Sequence, residues 1–238
     1  FTDGAYDYDT YHDAAGTNYL IPLEIVFRNT VPVGSSLRSR TDPTDHGLDH
    51  ETWSDEAVDL DDPIVEFSTK YEEGDRYLDR AEADRIAGAA DLADLEAIAR
   101  EVNRVVTERA SEVGLDHQDG KIECLYYDGE IKIADVVGTF DENRFSYAGQ
   151  QVSKEVLRKY YRREYPEWVE AVASAKERAK ARGIEDWHDL CDDEPPSLPE
   201  SVVGAASDLY AGGANVYTGH DAFDAPSLVD AVDAARTL

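Results

Sequence analysis

Between positions 119 and 135 the chain reads Asp-Gly-Lys-Ile-Glu-Cys-Leu-Tyr-Tyr-Asp-Gly-Glu-Ile-Lys-Ile-Ala-Asp. Two apolar-rich runs, 122–127 and 131–137, flank Asp128-Gly129, the dipeptide that most strongly marks a two-residue β-hairpin turn. Four ionisable groups, Asp119, Lys121, Glu123 and Asp135, stand on or beside that hairpin. Carboxylates on neighbouring strands can share a hard divalent cation, and a lysine beside them can neutralise phosphate. That is the outline of a nucleotide–metal site. The plain alternative is a solvated face on which Lys121, Glu123 and Lys132 form cross-strand salt bridges. A strict two-residue turn pairs Ile122 with Asp135 and Glu123 with Ala134, which sends the two acids to opposite faces. Joint metal binding therefore needs a bulge, a longer loop, or Asp135 lying just past the ladder.

The elements that must position these groups follow from periodicity. Residues 1–17, rich in Asp, Tyr and Gly, show no period and read as loop. The β-branched run 18–28 predicts a buried strand with Pro22 at a bulge or edge. Residues 29–40 follow as a loop with glycine and serines, where Arg28, Arg38 and Arg40 could hold an anion or pair with surface acids. The stretch 41–62 contains Asp45, His46, Asp49 and His50, but it lacks helical periodicity and reads as solvated loop rather than a metal motif. A second strand, 63–70, ends on Lys70. Apolar spacing from Ile86 to Val106 predicts a helix over 81–113, with a break at Gly88 and a stop at Gly114. Residues 138–145 form a loop carrying Asp141 and Arg144. Ser153 is the expected N-cap of a helix that runs to about 183 and is interrupted near Pro166. Residues 192–199 read as a linker, and 201–210 and 226–235 as two short helices around Gly212-Gly213.

Composition narrows the class. With 238 residues the chain can bury a full core. It carries 52 acids against 23 bases, a formal charge of -29, yet 42% of it is hydrophobic, so disorder is not the expectation. Acids spread along the whole chain point to a surface adapted to high salt, where a Debye length of ~3 Å near 1 M screens self-repulsion. The charge sign disfavours nucleic acid. No apolar run is long enough for a bilayer and no signal peptide is evident, which gives a cytoplasmic expectation without membrane contact. Two cysteines, Cys124 and Cys191, fit a reducing compartment. The chain starts at Phe1 and contains no Met, so we expect a piece of a longer protein.

Several segments together resemble SAICAR synthetase, phosphoribosylaminoimidazole-succinocarboxamide synthase of purine biosynthesis. Residues 20–28 (LIPLEIVFR) look like that family's P-L-E-x-x-x-R-N strand, and Gly34-Ser35 like its following Gly-Ser. Asp119 to Glu123 is similar to its D-x-K-x-E motif. Ala134-Asp135, Asp141 and Arg144-Phe145 resemble its A-D-E and P-D-x-x-R-F segments, and 63–70 its strand ending in a substrate-site lysine. Residues 151–158 (QVSKEVLR) resemble its S/D-K-x-x-x-R helix start. Departures are Val136 in place of the usual Glu, Phe140 in place of Pro, and Leu78-Asp79-Arg80 in place of an Asp-Pro pair. The glycine-rich strand pair that covers ATP in the family has no counterpart ahead of the Pro-Leu-Glu strand.

The resemblance implies an α+β fold, a mostly antiparallel sheet flanked by helices and related to ATP-grasp and kinase-like two-lobed folds. It implies an ATP-dependent ligase joining L-aspartate to carboxyaminoimidazole ribonucleotide (CAIR), with ATP as co-substrate and Mg2+ as cofactor. On that basis Glu123 and Asp135 would hold the metal, and Lys121, with Glu123 and Lys154, would meet the nucleotide. Arg28, Ser35, Lys70 and Arg144 would bind substrate, and Asp119 would act beside Lys121. We expect a remnant of a preceding lobe over 1–17, the ligase domain over 18–182, and a linker with a helical extension over 183–238. The partners would be small molecules, with a homo-oligomer left open. The rival expectation is a non-catalytic nucleotide-binding or assembly piece that needs a separate N-terminal lobe.

Overall fold

The computed structural model describes residues 6–72, 74–184, 186–191 and 193–238. The strand Leu23–Val31 (β2, after a short β1, Tyr19–Leu20) lies at the centre of the fold. Its odd residues Leu23, Ile25 and Phe27 are fully buried, while Glu24, Val26 and Arg28 point to the opposite face, as strand alternation requires. Burial of each such large apolar side chain contributes roughly 1.5–3 kcal/mol, which holds this register against a one-residue slip. Pro22, which lacks an N–H to donate, sits between β1 and β2.

Around β2 the described strands form one antiparallel sheet. Val58–Thr69 (β3) pairs on one side and Asp116–Tyr127 (β4) on the other, followed by Asn143–Tyr147 (β6) and Gln150–Gln151 (β7). The remaining strand, Glu130–Ala134 (β5), pairs with the far half of β4. The expected two-residue turn is present: Tyr127 opposes Glu130, and Asp128 and Gly129 have φ of 52° and 82°, the paired left-handed conformation of a type I′ turn. Gly120 is irreplaceable for a steric reason. A Cβ there would lie 2.0 Å from Asn143 Oδ1 and 2.6 Å from a Phe27 ring carbon.

Helices Arg80–Ala87 (α2) and Leu92–Glu112 (α3) cover the apolar face, broken at Gly88 as expected, and Asp79 and Asp91 accept N-cap hydrogen bonds. Several expectations give way: the stretches read as loop over 41–62 and 138–145 are in part strand, since β3 begins at Val58 and β6 at Asn143. The Asp- and Tyr-rich start contains a helix, Tyr8–Ala15 (α1), because Asp7 caps Thr10 and the amphipathic tyrosines Tyr8 and Tyr11 supply its buried side. Ser153 caps nothing: its Oγ is buried without a partner, and Glu155–Glu164 (α4) starts from Lys154. Gly212-Gly213 is not a loop but the middle of one long helix, Glu200–Thr218 (α6). There the missing Cβ atoms let the Phe140 ring and the Pro226 carbonyl approach. Pro166–Arg182 (α5) starts at its proline and stops at Gly183, as read from sequence. Leu228–Ala235 (α7) and α6 contribute Leu209, Leu228 and Val232 to the same buried cluster as Phe27 and Phe145. No helix among the described residues is long and apolar enough to cross a membrane.

Candidate functional site

The polar face of the sheet collects the chemistry. Alternation puts Glu24, Val26 and Arg28 of β2 on it, with Glu66 and Ser68 of β3 and Lys70 just beyond. Register sets Val26 beside Lys121 and Arg28 beside Asp119, so Asp119, Lys121 and Glu123 of β4 share that face. Asp119 in turn opposes Arg144 of β6.

In one half of this face, acids and lysines interlock. Lys70 Nζ donates to Glu123 Oε1, and Lys121 Nζ to Glu24 Oε1. Glu142 lies 3.6 Å from Lys121 on its other side. Burial works against the Lys121 charge, but the hydrogen bond to Glu24 and the surrounding carboxylates outweigh it and hold its pKa above the usual lysine value. Burial raises the Glu142 pKa despite Lys121 and Lys154, and neighbouring Asp141 and Asp135 add to the rise. Lys154, at the start of α4, lies 3.8 Å from Asp141 and so borders the same cluster.

Asp135 stands one residue past the ladder, where Ala134 opposes Glu123, and it turns with φ 62°. Of the three placements named from sequence, a bulge, a longer loop or a position just past the ladder, Asp135 has the last. The Asp135 carboxylate is exposed and accepts from the Val136 N–H at 2.8 Å. Among the described residues no group of three or more metal-ligating side chains is preassembled. His46, read from sequence as part of a loop, ends a short 3-10 helix, Pro43–His46, and its ring meets the Thr41 hydroxyl at 2.8 Å.

The other half is built from guanidinium groups. Arg28 is 3% exposed and fully engaged, donating to Glu66 at 2.8 Å and to the Tyr77 hydroxyl at 2.8 Å, with Asp119 at 3.6 Å. Burial opposes its charge, yet Tyr77, Glu66 and Asp119 keep its pKa raised. Arg144 holds Asp119 through two of its guanidinium nitrogens, Nε at 2.9 Å and Nη2 at 2.8 Å. For Asp119 burial is the larger influence and raises its pKa, with Arg144 and Arg28 pulling the other way. Ser35 accepts from the Leu37 N–H at 3.3 Å and so starts the short helix Ser36–Ser39.

Behind this face His117 holds β4, β6 and α3 together. Its Nδ1 faces the Asn29 amide nitrogen, a donor, so Nδ1 accepts and Nε2–H donates to Asn143 Oδ1 at 3.0 Å. Burial pushes the His117 pKa down to about 4, which leaves the imidazole neutral.

The structure brings Asp119, Lys121, Glu123, Lys70, Arg28 and Arg144 to one face, with Arg144, read from sequence as a loop residue, on β6. Sequence reasoning did not single out Glu66, Tyr77 or Glu142. For Glu66 the signal was available, since Glu66, Ser68 and Lys70 form a polar i, i+2, i+4 series on one face of the strand read there. Two shallow cavities, one beside Ile98 and Tyr126 and one beside Tyr165 and Trp168, lie away from this chemistry and belong to helix–hairpin and helix–loop clefts.

The sequence profile of SAICAR synthetase matches residues 15–175, across the sheet and both halves of the face. The chain belongs to the SAICAR synthetase family. It is 41% identical over 240 residues to the putative phosphoribosylaminoimidazole-succinocarboxamide synthase of Archaeoglobus fulgidus, covering 98% of this chain and 69% of that protein. The corresponding synthase of Thermoplasma acidophilum is 34% identical over 220 residues, covering 86% of this chain and 69% of its own. The fold agrees with that of the Saccharomyces cerevisiae SAICAR-synthase solved with SAICAR. The TM-score is 0.58 at 22% identity, covering 85% of this chain and 62% of the yeast chain. The chain thus spans roughly two thirds of the length of these family members.

Proposed function

We propose that this chain carries the substrate and metal half of an ATP-dependent ligase that joins L-aspartate to CAIR to form SAICAR. The observation that supports it most is the single polar sheet face on which an acid–lysine cluster adjoins a guanidinium cluster. A carboxylate is a poor electrophile. In this reading a CAIR carboxylate oxygen attacks the γ-phosphorus of ATP, ADP leaves, and the aspartate amine then displaces phosphate from the acyl carbon. Such chemistry asks for alignment and charge neutralisation more than for a protein nucleophile.

The residues present suit these tasks. Lys121, with Lys154 at the rim, faces the ATP phosphates. Lys70, tied to Glu123, marks the substrate side of the same cluster. Arg28 anchors the guanidinium half, Ser35 on the loop after β2 takes its substrate role from the family resemblance, and Arg144 meets the phosphate or carboxylate of CAIR from its exposed edge. Asp119, held by Arg144, accepts from the substrate's amino group. Mg2+ is usually held by one or two protein carboxylates together with phosphate oxygens, so the pair Glu123 and Asp135 suits it without a third acid. When bound, the ion supplies positive charge at the transferring phosphoryl group. The acidic surface fits a salt-rich cytoplasm.

The test is to incubate the protein with CAIR, aspartate and MgATP and to follow SAICAR and ADP together. Equimolar formation of both, dependent on aspartate, is the expected result. ATP binding without SAICAR would favour a nucleotide-binding piece and sink the ligase assignment for this chain.

A further inference from the structure

Register carries the polar face one residue beyond the start of β6. Asp119 opposes Arg144 and Gly120 opposes Asn143. The Lys121 N–H then donates to the Glu142 carbonyl at 3.1 Å, so Lys121 faces Glu142 across the same two strands. Alternation gives two neighbouring charged pairs of reversed order, Asp119 with Arg144 and Lys121 with Glu142. The residue between them is locked. Asn143 accepts at Oδ1 from His117 Nε2, and its side-chain amide and main-chain N–H donate to the Thr139 carbonyl at 3.1 and 2.9 Å. Its close packing over Gly120 leaves neither strand room to slip.

Within this fixed frame Glu142 calls for an explanation. Its side chain is 13% exposed, and among the described residues its buried Oε2 has no hydrogen-bond partner. Burying a carboxylate that no donor satisfies costs desolvation free energy, so the fold by itself does not require an acid here. The cation it faces is Lys121, 3.6 Å away, whose ammonium donates on its other side to Glu24. Asp141, the preceding residue, faces Lys154 at 3.8 Å, but that acid is 68% exposed, and such a surface pair contributes little. The three lysines of this half are therefore held differently. Lys70 depends on Glu123, an acid that the metal also claims, and Lys154 is held loosely at the rim. Lys121 lies between two carboxylates, Glu24 and Glu142, that the metal does not need.

We propose that Glu142 is a positioning residue for the ligase reaction: together with Glu24 it fixes the Lys121 ammonium where the ATP phosphates bind. This rests on the ligase reading above. An ammonium carries three donors on a flexible stem, so two carboxylates that restrain it reduce the side-chain freedom lost when phosphate arrives. A carboxylate beside phosphates repels them, so any benefit from Glu142 comes through Lys121. That opposition sets the sign of the test.

Calorimetric titration with the β,γ-imido analogue of MgATP tests the assignment on wild type, Glu142→Gln, Glu142→Asp, Lys121→Ala and the double variant Glu142→Gln/Lys121→Ala. We expect Glu142→Gln to weaken the analogue by about 10-fold, the scale of one hydrogen bond to a charged group, and to lower turnover at saturating MgATP by a similar factor. Glu142→Asp, which keeps the charge, recovers part of the loss. In the Lys121→Ala background Glu142→Gln weakens nothing further, because the group it acts through is gone. Tighter or unchanged binding in Glu142→Gln, or wild-type turnover, is what relief of simple repulsion gives and overturns the role of Glu142 while the ligase reading stands. Equal weakening with and without Lys121 overturns it as well. Glu142→Gln removes no hydrogen bond of the fold, so its thermal midpoint should match wild type; a midpoint that falls with the affinity assigns the loss to folding and overturns the role. A wild-type protein that forms no SAICAR overturns the ligase reading and this inference with it.

Discussion

Lowering the pH should destabilise this fold through one side chain, His117. Its imidazole is 6% exposed, accepts at Nδ1 from Thr107 and Asn29, and donates at Nε2 to Asn143. In the unfolded chain it titrates near 6.5, whereas burial holds it at about 4 in the fold. Protonation therefore favours the unfolded chain. The stabilisation is complete above about pH 7 and is lost as pH falls from 6.5 toward 4. At about 1.4 kcal/mol per pH unit the full gap amounts to about 3 kcal/mol, and about 2 kcal/mol is already gone at pH 5. Many carboxylates titrate in the same range, so the relevant quantity is a difference. Urea denaturation of wild type and His117→Gln at pH 7.5 and pH 5, at one fixed KCl concentration, isolates it. Wild type should lose about 2 kcal/mol more than the variant between the two pH values. Equal losses would refute the reasoning. So would an NMR titration in which the His117 ring of the folded protein protonates near 6.5.

Two further outcomes are expected. Asp135→Asn should lower Mg2+-dependent turnover by at least ~100-fold and leave the fold intact, because Asn tolerates the left-handed backbone at φ 62° and can still accept from the Val136 N–H. Near-native turnover with an unchanged Mg2+ requirement would remove Asp135 from the metal. Raising KCl from about 0.2 to about 2 M should raise the thermal midpoint by screening repulsion among the 52 acids, and a flat or falling midpoint would contradict a salt-adapted surface.

Local pattern was enough to find the hairpin, since Asp128-Gly129 between two apolar runs admits few other structures, and the register Tyr127 to Glu130 followed from it. The same holds for the break at Gly88, for the strand that bears Arg28, and for the one that leads to Lys70, which ends at Thr69. Side-chain alternation on the first strand of the hairpin also put Lys121 and Glu123 on one face. Segments whose apolar surface comes from tyrosine or glycine were misread, as in α1 and in the middle of α6. There the stabilising contact lies on another element, against the core for Tyr8 and against Phe140 for Gly213, and no local period records it.

The sequence by itself therefore determined the strand of Arg28, the hairpin with its turn, and the identity of the charged groups. Only the tertiary structure decided which of those charges are spent on one another. Arg28, Arg38 and Arg40 are alike as residues, yet Glu66 and Asp119 arrive from neighbouring strands to bury the first, and the loop at 54–56 takes the second. Burial and pairing depend on what packs alongside, and that is set by contacts between residues distant in the chain.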